Sequence, residues 1–154
     1  DSVPRYLDTG TYDPQPTIPT LSNAMDVGNP SNFIRIQKIF NNDVVKMKKV
    51  LSGFRFTDQE TIKALKEIYD LKNYVADPHG AVGYLGLKQY LAERKESHYG
   101  IFLETAHPVK FLDTVKNTLK IEVDIPERLK DTLSKNKVSI PIKDYSDLKA
   151  FLLN

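Results

Sequence analysis

The sequence predicts an α/β fold: part of a three-layer αβα structure built on a parallel sheet. Three observations lead there. Short apolar runs, Tyr74-Val75-Ala76 and Ile101-Phe102-Leu103, alternate with stretches whose apolar residues recur at helical spacing. Each run ends in a polar turn that opens a helix. The runs are too few for a complete parallel sheet, which needs both faces covered, so they predict one part of a larger α/β protein.

The elements follow in order. Residues 1–32 hold Pro4, Pro14, Pro16, Pro19 and Pro30 with Gly10 and Gly28, and are expected to be an irregular loop segment, because proline fixes φ and removes a backbone donor. A loop of that length is usually functional or packed on something else. Residues 33–154 are expected to alternate helices and strands. Phe33, Ile36, Ile39 and Phe40 suit one face of a short helix, with Ser31 and Asn32 as caps after Pro30. Val44, Met47, Val50 and Leu51 suit a second, ended by Gly53. Residues 54–56 read as extended. Thr57 with Glu60 three residues on is a capping box, and Ile62, Leu65, Ile68 and Tyr69 continue it as a helix. After the run at 74–76 a helix is expected over about residues 80–95, and after the run at 99–104 another to about residue 119. Residues 121–125 and 138–142 read as extended, with a helix opened by Pro126 and a last one over 146–153.

Composition sets limits. Of 154 residues 40% are hydrophobic and 27% charged, enough for a core and too many for a disordered tail. The balance of 22 Lys and Arg against 20 Asp and Glu leaves a net charge of +2, which is no nucleic-acid footprint. The absence of Cys excludes a disulfide scaffold, a thiolate metal site and a cysteine nucleophile, and fits a cytoplasmic origin. No zinc-type spacing, Walker loop or Rossmann glycine fingerprint occurs. No apolar stretch approaches the roughly 20 residues that span a bilayer, so neither a membrane nor a metal is expected as a partner. The opening residues lack signal-peptide character and an initiator Met, as a processed or truncated chain would.

Two junctions share one grammar: Ala76-Asp77-Pro78-His79-Gly80 and Leu103-Glu104-Thr105-Ala106-His107-Pro108. Each puts a polar side chain at the end of an apolar run and a His at a helix start. In open α/β sheets ligands bind at the carboxyl ends of strands, and helix N-termini favour anions. A plain helix cap explains the same residues. Gly80, Gly83 and Gly86 recur every third residue in a helix, where each costs about 1 kcal/mol relative to Ala, so something approaches the backbone there: a ligand, a neighbouring domain or a tightly packed element. A third stretch, Ser22-Asn23-Ala24-Met25-Asp26-Val27-Gly28-Asn29-Pro30-Ser31-Asn32-Phe33, is rich in amides and hydroxyls, and reads either as an anion cradle or as loop chemistry.

These three stretches resemble the threonine synthase family. The likeness rests on the Ser22 to Phe33 stretch, on Asp77-Pro78-His79-Gly80-Ala81-Val82-Gly83-Tyr84, on Glu104-Thr105-Ala106-His107-Pro108-Val109-Lys110-Phe111, and on the opening Asp1-Ser2-Val3-Pro4-Arg5-Tyr6-Leu7. It keeps its order and spacing through essentially the whole chain and corresponds to roughly the C-terminal third of such an enzyme. It implies the C-terminal part of a tryptophan-synthase-β-like fold (fold type II) and a lyase that uses pyridoxal 5′-phosphate to convert O-phospho-L-homoserine and water into L-threonine and phosphate. Thr105 matches the position whose hydroxyl faces the pyridine nitrogen. Asp77, His79, His107, Asn23, Asp26 and Asn29 fall in motifs that line the active site. The family's Schiff-base lysine and coenzyme-phosphate loop lie upstream of the matched region, so the resemblance implies no catalytic lysine in this chain and no activity or coenzyme binding by the chain alone. A segment of a sheet is also expected to self-associate through its exposed edge. The alternative is a non-catalytic α/β binding or interaction module that keeps these turns for folding reasons.

Overall fold

A computed structural model describes residues 1–23, 26–94 and 97–153. The contacts divide the chain into two units, Asp1–Val123 and Asp124–Asn154.

The first unit is helical. Helix α1 (Ser2–Thr9) lies inside the segment that its prolines mark as irregular. Pro4 falls in the first turn, where its missing N–H would have no helical partner in any case, so it is tolerated. Gly10, at φ 74°, stops the helix by turning left-handed and donating its N–H to the Tyr6 carbonyl. Helices α2 (Phe33–Ile39) and α3 (Val44–Lys48) follow. Tyr6, Leu7, Phe33 and Met47 form one buried cluster, and Tyr12 stacks on Phe33 at 4.4 Å.

Helix α4 (Asp58–Lys72) starts at the predicted capping box: the Thr57 hydroxyl accepts from the Glu60 N–H, and Glu60 accepts from the Thr57 N–H at 2.7 Å. It buries Thr61, Ala64, Leu65 and Ile68, one face at the i, i+3, i+4, i+7 spacing. Asn73, at φ 51°, ends it. That face packs on helix α5 (Pro78–Ala92), with Ala76 and Ala81 completing the cluster. Between the two helices Glu67 accepts from the Tyr84 hydroxyl at 2.7 Å and pairs with Lys88 at 2.5 Å. A 3₁₀ turn (Pro108–Phe111) leads into helix α6 (Leu112–Leu119), which packs on α4. Phe111, Val115 and Val123 form a third cluster, and Leu119 packs against both this one and the α4–α5 cluster.

The second unit holds α7 (Glu127–Leu133) and α8 (Tyr145–Leu153), with exposed chain between them. The helix predicted to run to residue 95 is α5, which ends at Ala92; Lys95 lies outside the described residues, as do Ala24 and Met25 of the third stretch.

The predicted parallel sheet is not there. Among the described residues no strand forms at 54–56, 74–76, 99–104, 121–125 or 138–142. Among the described residues no backbone hydrogen bond joins any of these stretches into a ladder. The α/β class and the αβα layers are therefore corrected to a helical structure, and with the sheet goes the edge through which self-association was expected. The physical reason lies at 101–108. Phe102, Glu104, Ala106 and Pro108 are half-buried while Ile101, Leu103, Thr105 and His107 are exposed. This alternation is that of an extended chain lying with one side on a helix. An apolar run of strand length carries the same composition whether or not a second extended stretch pairs with it.

Candidate functional site

The two junctions meet. Asp77 is the N-cap of α5: its Oδ1 accepts from the His79 N–H at 2.9 Å and sits 2.8 Å from the His79 Nδ1. Pro78 follows in the first turn, where it suits a helix start. Asp77 is fully buried. Its own N–H donates to Glu104 Oε2 at 3.3 Å, across 27 residues of sequence.

The three glycines explain the approach of this second stretch. A Cβ on Gly80 would overlap the Glu104 carboxyl, one on Gly83 would touch Phe102 at 3.8 Å, and one on Gly86 would touch Phe54 at 3.4 Å. The α5 surface is thus a shallow track along which Phe102 and Glu104 lie. What nears the backbone at Gly80 is a side chain of the same chain.

Two carboxyl groups are brought together in a place with little water. Asp77 Oδ2 and Glu104 Oε1 are both buried without a hydrogen-bond partner. Burial raises the Asp77 pKa, but the neighbouring Glu104 carboxyl, the His79 N–H and the His79 ring outweigh it and hold the group below the ordinary Asp value. Burial, and then the neighbouring Asp77 carboxyl, push Glu104 up to about 7. The pair is thus divided, one member favouring the charged form and the other the neutral form.

The remaining predicted residues are placed as follows. Thr105 is exposed, next in chain to Glu104. His107 is exposed, and its Nδ1 accepts from the Val109 N–H at 3.2 Å, which caps the 3₁₀ turn. The His79 ring meets the edge of Phe111 at 5.2 Å. His79 also borders a cleft of about 750 Å³ together with Asp26, Arg5 and Arg55. Asp26 accepts from the Thr20 N–H at 3.0 Å and from its hydroxyl at 2.7 Å, so it shapes the loop while facing the cleft. Asn29 accepts from the Tyr12 hydroxyl at 2.8 Å and Asn23 is exposed; neither borders the cleft, nor do Asp77, Thr105 and His107. The structure joins Asp77, His79 and the Glu104-Thr105 stretch, and brings Asp26 to His79 by way of the cleft.

Three residues were missed by the reading of the sequence. Glu104 stood in a quoted motif without a role; its signal was Gly80, a glycine in the first turn of a helix. Arg5 and Arg55, which both pair with Asp1, at 3.4 and 3.3 Å, line the cleft; Arg5 stood in the quoted opening without a role, and Arg55 carried no signal beyond its charge.

The comparisons bear on this constellation. A family model described as threonine synthase, C-terminal, matches residues 80–152. A threonine synthase of Buchnera aphidicola is 40% identical over 99% of this chain and 35% of its own length. The crystal structure of threonine synthase from Escherichia coli superposes with a TM-score of 0.85 at 33% identity, over 99% of this chain and 35% of that one. By these measures the chain is similar to the threonine synthase family. It matches the C-terminal part of that family and spans about a third of the length of the curated threonine synthases it resembles. A PLP-bound threonine synthase from Brucella melitensis superposes with a TM-score of 0.64 at 25% identity, over 89% of this chain and 34% of that one. Among the described residues no helix is long and apolar enough to cross a membrane.

Proposed function

We propose that this chain is the C-terminal portion of the large domain of a cytoplasmic threonine synthase that uses pyridoxal 5′-phosphate to turn O-phospho-L-homoserine and water into L-threonine and phosphate. The observation that carries the reading is the state of Thr105. Its side chain is exposed at the end of a stretch seated on the first turn of α5, and its hydroxyl has no partner among the described residues. A neutral hydroxyl can donate to an unprotonated pyridine nitrogen, which a carboxylate at that position could not. The coenzyme, when bound, supplies the electron sink for the carbon chemistry. Thr105 would face the ring nitrogen with a neutral hydroxyl rather than a carboxylate, which would favour the unprotonated ring and temper the sink. Asp77 fixes the His79 ring, and His79 and Asp26 face the cleft with two arginines whose charges suit an anionic substrate.

The chain alone carries no lysine in the family's Schiff-base motif, and we propose that it is inactive by itself. The test uses the full-length protein that contains this segment, with coenzyme and O-phosphohomoserine, and measures phosphate release. Turnover is expected from the full-length protein and none from the 154-residue chain. A folded, coenzyme-loaded full-length protein that releases no phosphate would overturn the reading.

A further inference from the structure

Glu104 is used by nothing so far described, and its surroundings are unusual. It is a carboxyl group set against a fully buried carboxyl group, over a glycine whose missing side chain makes the room. We infer that Glu104 is a positioning residue: one proton held between its carboxyl and that of Asp77 clasps the Thr105 stretch to the first turn of α5.

The argument is one of satisfying every polar atom. Asp77 Oδ1 is occupied by the His79 N–H and ring, and Glu104 Oε2 by the Asp77 N–H. The atoms left over are Asp77 Oδ2 and Glu104 Oε1, one on each partner, both buried. Two ionised carboxylates at this separation from water would repel, and each would leave an oxygen unpaired. A single proton between the two orphan oxygens satisfies both and removes the repulsion. The donors already gathered on Asp77 favour its anion, so the proton belongs on Glu104, in line with the opposite directions in which the two groups are shifted. The groups facing the pair are His79 on the Asp77 side and, around the hollow bordered by Glu104, Lys72 at the end of α4, Tyr74 beyond it and Tyr84 from α5. Glycine at position 80 is then a requirement of the clasp, since any Cβ there would displace the Glu104 carboxyl. Thr105 is the next residue, so the direction of its hydroxyl is set by how firmly Glu104 is held. The inference rests on the proposed role of Thr105 toward the coenzyme.

The experiment uses the full-length protein with coenzyme bound, as wild type, Glu104→Gln, Glu104→Ala and Thr105→Ala. Two readouts are followed from about pH 5.5 to about pH 9: the visible absorbance of the bound coenzyme and the thermal midpoint. The wild type is expected to show a step near pH 7 in both. Glu104→Gln should abolish the step and keep the low-pH spectrum, because the amide oxygen accepts the Asp77 N–H and the amide NH₂ donates to Asp77 Oδ2 for good. Glu104→Ala should shift the spectrum in the same sense as Thr105→Ala and weaken coenzyme binding about tenfold. A step that survives in Glu104→Gln overturns the shared proton. A Glu104→Ala protein altered in thermal midpoint but not in spectrum, alongside a Thr105→Ala protein that is altered in spectrum, overturns the positioning role and leaves the coenzyme reading standing. A Thr105→Ala spectrum identical to wild type overturns the coenzyme reading itself. If Glu104→Ala does not fold, the Glu104→Gln profile against wild type decides alone.

Discussion

The carboxyl of Glu104 occupies the volume that a methyl group on Gly80 would need. Helix propensity alone favours Ala over Gly by about 1 kcal/mol in a helix interior. Here the order inverts, because an added Cβ must push Glu104 away from the buried Asp77. Gly80→Ala is expected to lower stability by about 2 kcal/mol, within the range for overpacking a tight site, as read by urea unfolding. Gly83→Ala, where Phe102 lies at ordinary contact distance, is the control and should be neutral or mildly stabilising.

The carboxyl pair predicts a stability maximum in mildly acid solution. Glu104 has its folded pKa raised from 4.5 to about 7, so its contribution is full below the unfolded value and is lost as pH rises through 7. Asp77 has its folded pKa lowered from 3.8, so its contribution is present above that value and is lost as pH falls through the folded one. Between these limits both act. Unfolding free energy is expected to fall by on the order of 2 kcal/mol from pH 5 to pH 8, and Glu104→Gln should flatten that slope.

Glu67 ties α5 to α4 through Tyr84 and Lys88. The hydrogen bonds from Lys88 and then Tyr84 lower its pKa. Lys88 is half exposed, so the ionic share is screened. Glu67→Ala is expected to cost about 1 kcal/mol, mostly through the Tyr84 hydroxyl left without its acceptor. Raising salt should remove only a small part of the wild-type advantage, measured by thermal melting in low and high salt.

Thr57→Ala tests the start of α4. It removes the oxygen that accepts the Glu60 N–H and frees the Glu60 carboxylate from the Thr57 hydroxyl. The expected loss is about 1 kcal/mol in chemical unfolding. Thr57→Ser should recover most of it.

The sequence showed its helices better than its layers. Thr57 with Glu60, Asp77 before Pro78, and the apolar spacing from Ile62 to Tyr69 are local signals, and the helices stand at those places. The runs at 74–76 and 99–104 were equally apolar, but a strand exists only when a second extended chain pairs with it, and pairing is a non-local fact. Helix α1 was hidden for the opposite reason: Pro4 looks like a breaker unless its place in the first turn is known. At the candidate site the sequence pointed to Asp77, His79 and Thr105 by their positions at turns. It gave no hint that Glu104 crosses 27 residues to reach Asp77. Only the glycine spacing at 80, 83 and 86 recorded that something lay on α5.

Leu119 packs against both the α4–α5 cluster and the cluster around Val115. A side chain shared in this way makes its two neighbourhoods open together. Amide hydrogens of α4 and of α6 should therefore exchange with deuterium through one common opening, with closely matched protection, and truncating Leu119 should let the α6 amides exchange ahead of the α4 ones.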